Sequence, residues 1–161
     1  VYYTARLIEA GEAPRFVLRR LIIFASEDIG LADPQALVQA TAALTAFDMV
    51  GLPEGTLPMT QAALYLACAP KSRTVVQTYA AAQARVAAHG TLPVPMWLRP
   101  GALGDAGCRH NNLPAELATL PGAAPLFEPS GQGMEARIVA AWRGRQHINE
   151  GRGPLGNAAT K

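Results

Sequence analysis

Charge is scarce in this sequence, and so are lysine, cysteine and aromatic rings. Asp, Glu, Lys and Arg make up 16% of the 161 residues, against about a quarter in ordinary globular proteins. The signs nearly balance, with 14 basic and 12 acidic residues leaving a net charge of +2. Such a balance excludes the strong electrostatic footprint of a dedicated nucleic-acid or membrane-surface binder. Only Lys71 and Lys161 are lysines, so arginine carries nearly all the positive charge. Two cysteines, Cys68 and Cys108, do not make a disulfide framework and read as free thiols in a reducing cytoplasm. Base-stacking aromatics are few, and Phe16, Phe24 and Phe47 fall on apolar faces, where they read as core. The longest charge-free helical stretch, Pro34 to Phe47, is too short to span a bilayer and contains Gln35 and Gln39. No basic segment followed by an apolar run marks a signal peptide. G-x-x-x-x-G-K-[ST] occurs nowhere, so the chain by itself has no phosphate loop. It opens on Val1 and reads as part of a longer protein.

What is abundant is apolar and small. Hydrophobic residues reach 50%, alanine above all, and 15 glycines and 13 prolines punctuate them. That excludes disorder along the whole chain, and the length suits one domain with a core of its own.

The first hundred residues read as short helices between Gly and Pro stops. Val1 to Ala10 carries Tyr3, Leu7 and Ala10 on one stripe and ends at Gly11. Pro14 opens a second helix with Phe16, Val17, Leu21, Phe24 and Ala25 at apolar spacing. Asp33-Pro34 is the sharpest helix start: Asp33 accepts from free backbone N–H groups and Pro34 fits the first turn. That helix runs through Leu37, Thr41, Leu44 and Phe47 and stops at Gly51. Leu57-Pro58 opens a fourth, with Met59, Ala63, Leu66 and Ala67, ended by Pro70. Ser72 caps a fifth, on which Val75, Tyr79, Ala82 and Val86 align, closed by His89-Gly90. No alternating strand pattern is present. The fold class is therefore all-α, a bundle or array whose alanines let helix axes approach closely.

The organisation expected is a helical core over 1–98, a Gly/Pro-rich irregular segment over 99–133, a last helix over 134–145 and a flexible tail over 146–161. In the last helix Met134, Ile138, Ala141 and Trp142 share a stripe.

Candidate chemistry is sparse. Ser26, Glu27 and Asp28, with Asp33 and Pro34 close behind, offer paired carboxylates for acid/base work or a cation. Neighbouring helical residues point about 100° apart, so bracing of the turn into the next helix is the stronger reading. Cys108 and His110 are two metal-ligand types without a second pair, which is too few for a zinc site. Lys71-Ser72-Arg73 lacks the glycines of a phosphate cradle and reads as capping. His89 suits the negative end of its helix, and His147 sits in a polar tail. Arg6, Arg15, Arg19 and Arg20 form a modest basic patch, a candidate contact for DNA or an acidic partner surface. No catalytic, cofactor-binding or metal residue is assigned.

Beyond these patterns, LIIFASEDIGLADPQAL (21–37), GLPEGTLPMTQAALYLACAPKS (51–72), GTLPVPMWLR (90–99), NLPAEL (112–117) and FEPSGQGMEARIVAAWR (127–143) resemble one family. It is the C-terminal region of the replication-associated recombination protein A family, the bacterial AAA+ ATPases also called MgsA, related to the Werner-helicase-interacting ATPases. The stretch Pro100 to Asn111 departs from it, being shorter and glycine-rich where the family carries a longer Lys/Tyr-rich loop. The resemblance implies a compact helical domain like the clamp-loader collar, which holds subunits together as a homotetramer. It implies no cofactor in this region, with ATP and Mg bound by an N-terminal core. It further implies a bacterial, cytoplasmic and nucleoid-associated DNA-dependent ATPase, with the rest of the ATPase chain, DNA and replication-fork proteins as partners. The segments from Pro34 to Val50 and from Ser72 to Ala88 are the candidate interface helices.

Overall fold

The computed structural model describes residues 1–99, 114, 117 and 125–151; for Trp97 and residues 145–151 it describes the backbone only. Six α-helices account for most of this, with no strand among the described residues: α1 (Tyr2–Glu9), α2 (Pro14–Phe24), α3 (Gln35–Val50), α4 (Thr56–Cys68), α5 (Thr74–His89) and α6 (Glu135–Gly151). Between α2 and α3 the chain makes one π-helical turn, Ala25–Ile29, and one 3-10 turn, Gly30–Ala32. These two turns form an elbow that meets α2, α3, α5 and α6.

The core lies where α2, the elbow, α3 and α4 converge. Ala25, Ile29, Ala36, Ala40, Leu66 and Ala69 form one cluster. Val17, Leu18, Ala43, Met59 and Ala62 form a second, and half-buried Leu21 packs against both. Ala25, Ala32, Ala36, Ala40, Ala43, Ala62, Ala63 and Ala69 are all buried. Alanines at these positions let the axes of α3 and α4 come close, and each such residue loses almost no side-chain entropy on burial.

The alanines also correct the stripes expected from sequence. On α3 the buried face is Ala36, Ala40 and Ala43, while Leu37 is 41% exposed. On α4 it is Met59, Ala62, Ala63 and Leu66, and Ala67 lies outside it. Large residues dominate any reading by hydropathy, but close helix contacts select small ones. Phe16, expected in the core, lies on the surface beneath Arg19, whose guanidinium carbon is 5.5 Å from the ring centre.

Helix ends follow local chemistry. Asp33 Oδ1 accepts from the Gln35 amide at 3.0 Å, so the expected cap is present, with Pro34 immediately before the first helical residue. Gly51 and Gly90 close α3 and α5 with positive φ. Lys71 Nζ reaches back to the last turn of α4 and donates to the carbonyls of Leu66 (2.9 Å) and Ala69. Lys71 thus caps the C-terminal end of α4, whereas the capping expected of this stretch is at the start of α5, where Ser72 Oγ accepts from the Thr74 amide at 3.3 Å. Helix α6 continues through Gly144 to Gly151, beyond the 134–145 range expected for it.

Candidate functional site

Two helices bury almost nothing. Among the sixteen residues of α5 only Thr74 is buried, and α1 buries none. The aligned stripe on α5 exists, but most of it faces outward: Tyr79 is 67% exposed, Val75 and Val86 are exposed as well, and Ala82 is half-buried. The spacing from Val75 to Tyr79, Ala82 and Val86 is four, three and four residues, the step of a helix-pairing seam. On α1, Tyr2, Tyr3 and Leu7 are exposed too. Among the described residues, two apolar helix faces are therefore left exposed.

A shallow groove of about 700 Å³ runs along the outer side of α4, lined by Leu57, Gln61, Leu64, Tyr65 and Cys68 with Asp33 at one end. There the Tyr65 hydroxyl donates to Asp33 Oδ2 at 2.7 Å. The hydrogen bond to Asp33, burial, and the Asp33 charge together push the Tyr65 phenol above its usual value. A second apolar hollow, about 780 Å³, opens between the Pro125–Pro129 stretch and α6, walled by Phe127, Ile138, Val139 and Trp142.

The paired carboxylates brace the elbow. Glu27 Oε1 lies 3.3 Å from Arg73 Nη2, and Asp28 Oδ1 lies 3.6 Å from Arg73 Nε. The Asp28 carbonyl accepts from the Ser72 amide at 2.8 Å. Ser26 sits in the same π turn. Both carboxylates thus face a cation that starts α5, a bracing arrangement rather than an acid/base pair. Among the described residues, no group of three or more His, Cys, Asp or Glu side chains is arranged to hold a metal ion. Cys108 and His110 lie outside the described residues, and so does the side chain of His147.

The basic patch is partly spent within the chain. Arg15 pairs with Asp48 at 2.8 Å, and Arg19 covers Phe16. Arg6 sits in the last turn of α1, where a cation suits the helix dipole. Arg20 is exposed on α2.

Sequence reasoning missed Glu135. It is fully buried and opens α6. Its Oε1 accepts from the Ser130 amide at 2.7 Å and its Oε2 from the Ser130 hydroxyl at 2.7 Å. Ser130 Oγ also lies 3.1 Å from Ser72 Oγ, and Ser72 Oγ lies 3.0 Å from Thr74 Oγ1. Burial pushes this carboxyl upward. Hydrogen bonds from the Ser130 and Ser72 hydroxyls, the Ser130 amide and the Thr74 hydroxyl outweigh that and hold it below its usual value. The expected stripe of Met134, Ile138, Ala141 and Trp142 is not the buried one, since Met134 and Trp142 are largely exposed while Glu135 and Val139 are buried. The sequence signal was Ser130-Gly131-Gln132-Gly133, a polar turn with a hydroxyl set directly before a helix opening on Glu.

The arrangement defines an all-helical domain with a small-residue core, outward apolar helix faces and no assembled catalytic constellation among the described residues. The family model for the C-terminal domain of MgsA AAA+ ATPases matches residues 1–112, and the chain belongs to that family. It is 38% identical over 157 residues to an uncharacterized AAA domain-containing protein of Mycobacterium tuberculosis, covering 86% of this chain and 34% of that one. It is 46% identical over 99 residues to replication-associated recombination protein A of Coxiella burnetii, covering 62% and 22% respectively. It is 44% identical over 98 residues to the ATPase WRNIP1 of Dictyostelium discoideum, covering 61% and 11%. The chain thus spans about a third or less of the length of these relatives. Among the described residues, no helix is long and apolar enough to cross a membrane.

Proposed function

We propose that this chain is the self-association domain of an AAA+ ATPase that acts in replication-associated recombination, and that it assembles as a homotetramer. In this reading the domain has no catalysis of its own. ATP and magnesium belong to an N-terminal ATPase core of the parent protein, and DNA and replication-fork proteins are partners of the whole. The names of the relatives support the recombination context. The observation that carries the assembly reading is α5, a sixteen-residue helix that buries only Thr74 and turns Val75, Tyr79 and Val86 to solvent. A helix of this length is marginal alone in water, and packing its seam against another copy buries the face at no cost in charge. A tetramer built on two-fold axes needs two kinds of self-complementary contact. The second is assigned to α1 and the groove along α4.

Light scattering of the purified chain across a dilution series tests this. The expected result is a mass near four protomers that falls on dilution. A mass of one protomer at the highest concentration reached overturns the assembly reading. ATP turnover by the purified chain overturns the non-catalytic part.

A further inference from the structure

Through Ser130, the buried Glu135 carboxylate joins the start of α6 to the start of α5, which is far away in sequence. Glu135 belongs to α6, and two of its donors come from Ser130 in the segment before α6. Ser130 Oγ in turn lies 3.1 Å from Ser72 Oγ, which lies 3.0 Å from Thr74 Oγ1, and Thr74 is the first residue of α5. A carboxylate beside the first turn of a sixteen-residue helix also meets the positive end of its dipole.

Two further contacts close the same junction. The Met134 amide donates to the Ala32 carbonyl at 2.8 Å, and the Ser72 amide donates to the Asp28 carbonyl at 2.8 Å. Both acceptors belong to the elbow. Gly133 lies so near it that an added Cβ would stand 2.2 Å from the Ala32 carbonyl oxygen. Helices α5 and α6 meet the rest of the fold chiefly at this elbow.

We propose that Glu135 is the pin of a clasp through which docking of α6 fixes the pose of α5 on the elbow, so that the two helices attach and detach as one unit. Glu135 is a positioning residue. In the assembly, α5 presents its seam in one orientation because α6 holds its first turn. That last consequence rests on reading α5 as a self-association face; the clasp itself does not.

The test is hydrogen exchange followed residue by residue in the wild-type chain and in Glu135→Ala, Glu135→Gln and Gly133→Ala, with the solution mass recorded in parallel. Glu135→Ala removes both acceptors, and amide exchange is expected to rise by about a hundredfold, the worth of two hydrogen bonds to a charged group. The rise is expected at Val75–Thr78 and at Ser130–Ile138 together, while Ala40, Ala43, Ala62 and Leu66 keep wild-type protection. Glu135→Gln keeps one acceptor oxygen and the hydroxyls can turn to suit it, so a smaller rise at the same amides is expected. Gly133→Ala leaves the carboxylate intact but keeps α6 off the elbow, and the same two stretches are expected to open.

Opening of 130–138 without Val75–Thr78 overturns the clasp, as does an equal loss of protection throughout α3 and α4. Unchanged exchange in all three variants also overturns it. If the wild-type chain is a monomer throughout, the self-association reading fails, and the exchange pattern still decides the clasp. If the wild type assembles and the variants open yet keep its mass, the control of assembly by the clasp is refuted and self-association stands.

Discussion

Replacing Tyr79 by alanine separates assembly from folding. The ring is 67% exposed and lies midway along the α5 seam, so its loss removes little from the single copy. Alanine is also the better helix former, so α5 is expected to keep its helicity. In the proposed assembly the ring would be a large apolar contact. If about 100 Å² of it is covered in each copy, its removal costs about 2.5 kcal/mol per copy at about 25 cal/mol per Å². A two-fold contact counts the loss twice, about 5 kcal/mol, or between three and four powers of ten in Kd. Sedimentation velocity across micromolar concentrations measures the change, and far-UV circular dichroism confirms the fold. A Tyr79→Ala chain with native helicity and a Kd within about tenfold of wild type refutes the assignment of α5 to the interface.

Leu66, fully buried between α4 and the elbow, is expected to cost about 3 kcal/mol on truncation to alanine, read as a fall in Tm of roughly 10 °C for a domain this size; a loss under about 1 kcal/mol contradicts the core described. The depressed Glu135 carboxyl sets the sign of an acid effect. Its stabilisation is complete above the usual glutamate value, about 4.3, and is lost as pH falls through its lower folded value. Protection at Ser130–Ile138, taken relative to the intrinsic exchange rate at each pH, is therefore expected to fall on acidification in wild type, with a smaller pH response in Glu135→Gln. The Arg15–Asp48 pair is largely open to solvent, so a double-mutant cycle is expected to give a coupling below about 1 kcal/mol.

How far the fold was legible depends on how local its determinants are. Gly11, Pro14, Asp33, Gly51, Pro70 and Gly90 set helix ends through their own backbone preferences, and a sequence displays such preferences directly. The buried faces of α3 and α4 are set by how closely two axes approach, which depends on the partner helix. A reading that follows large residues therefore rotated α3 by one position, from Ala36 to Leu37. Glu27 and Asp28 were legible as candidates to brace the turn, but the partner they meet, Arg73, is 46 positions from Glu27. Glu135 was hidden for a stronger reason. A carboxylate at the start of a helix reads as solvated, and only the meeting of Ser72, Thr74 and Ser130 in space makes burial affordable. The α5 stripe was visible from the start; that it faces solvent is a property of the fold.

The alanine-lined interior makes this domain's tolerance of change lopsided. At Ala36, Ala40, Ala43 and Ala62 there is nothing to trim, and each added methylene must force neighbouring helices apart, at about 1–3 kcal/mol. Outside, Tyr2, Tyr79, Val86 and Leu57 can shrink with little penalty to a lone copy. Random drift is therefore barred from enlarging the inside and free to erode the outside.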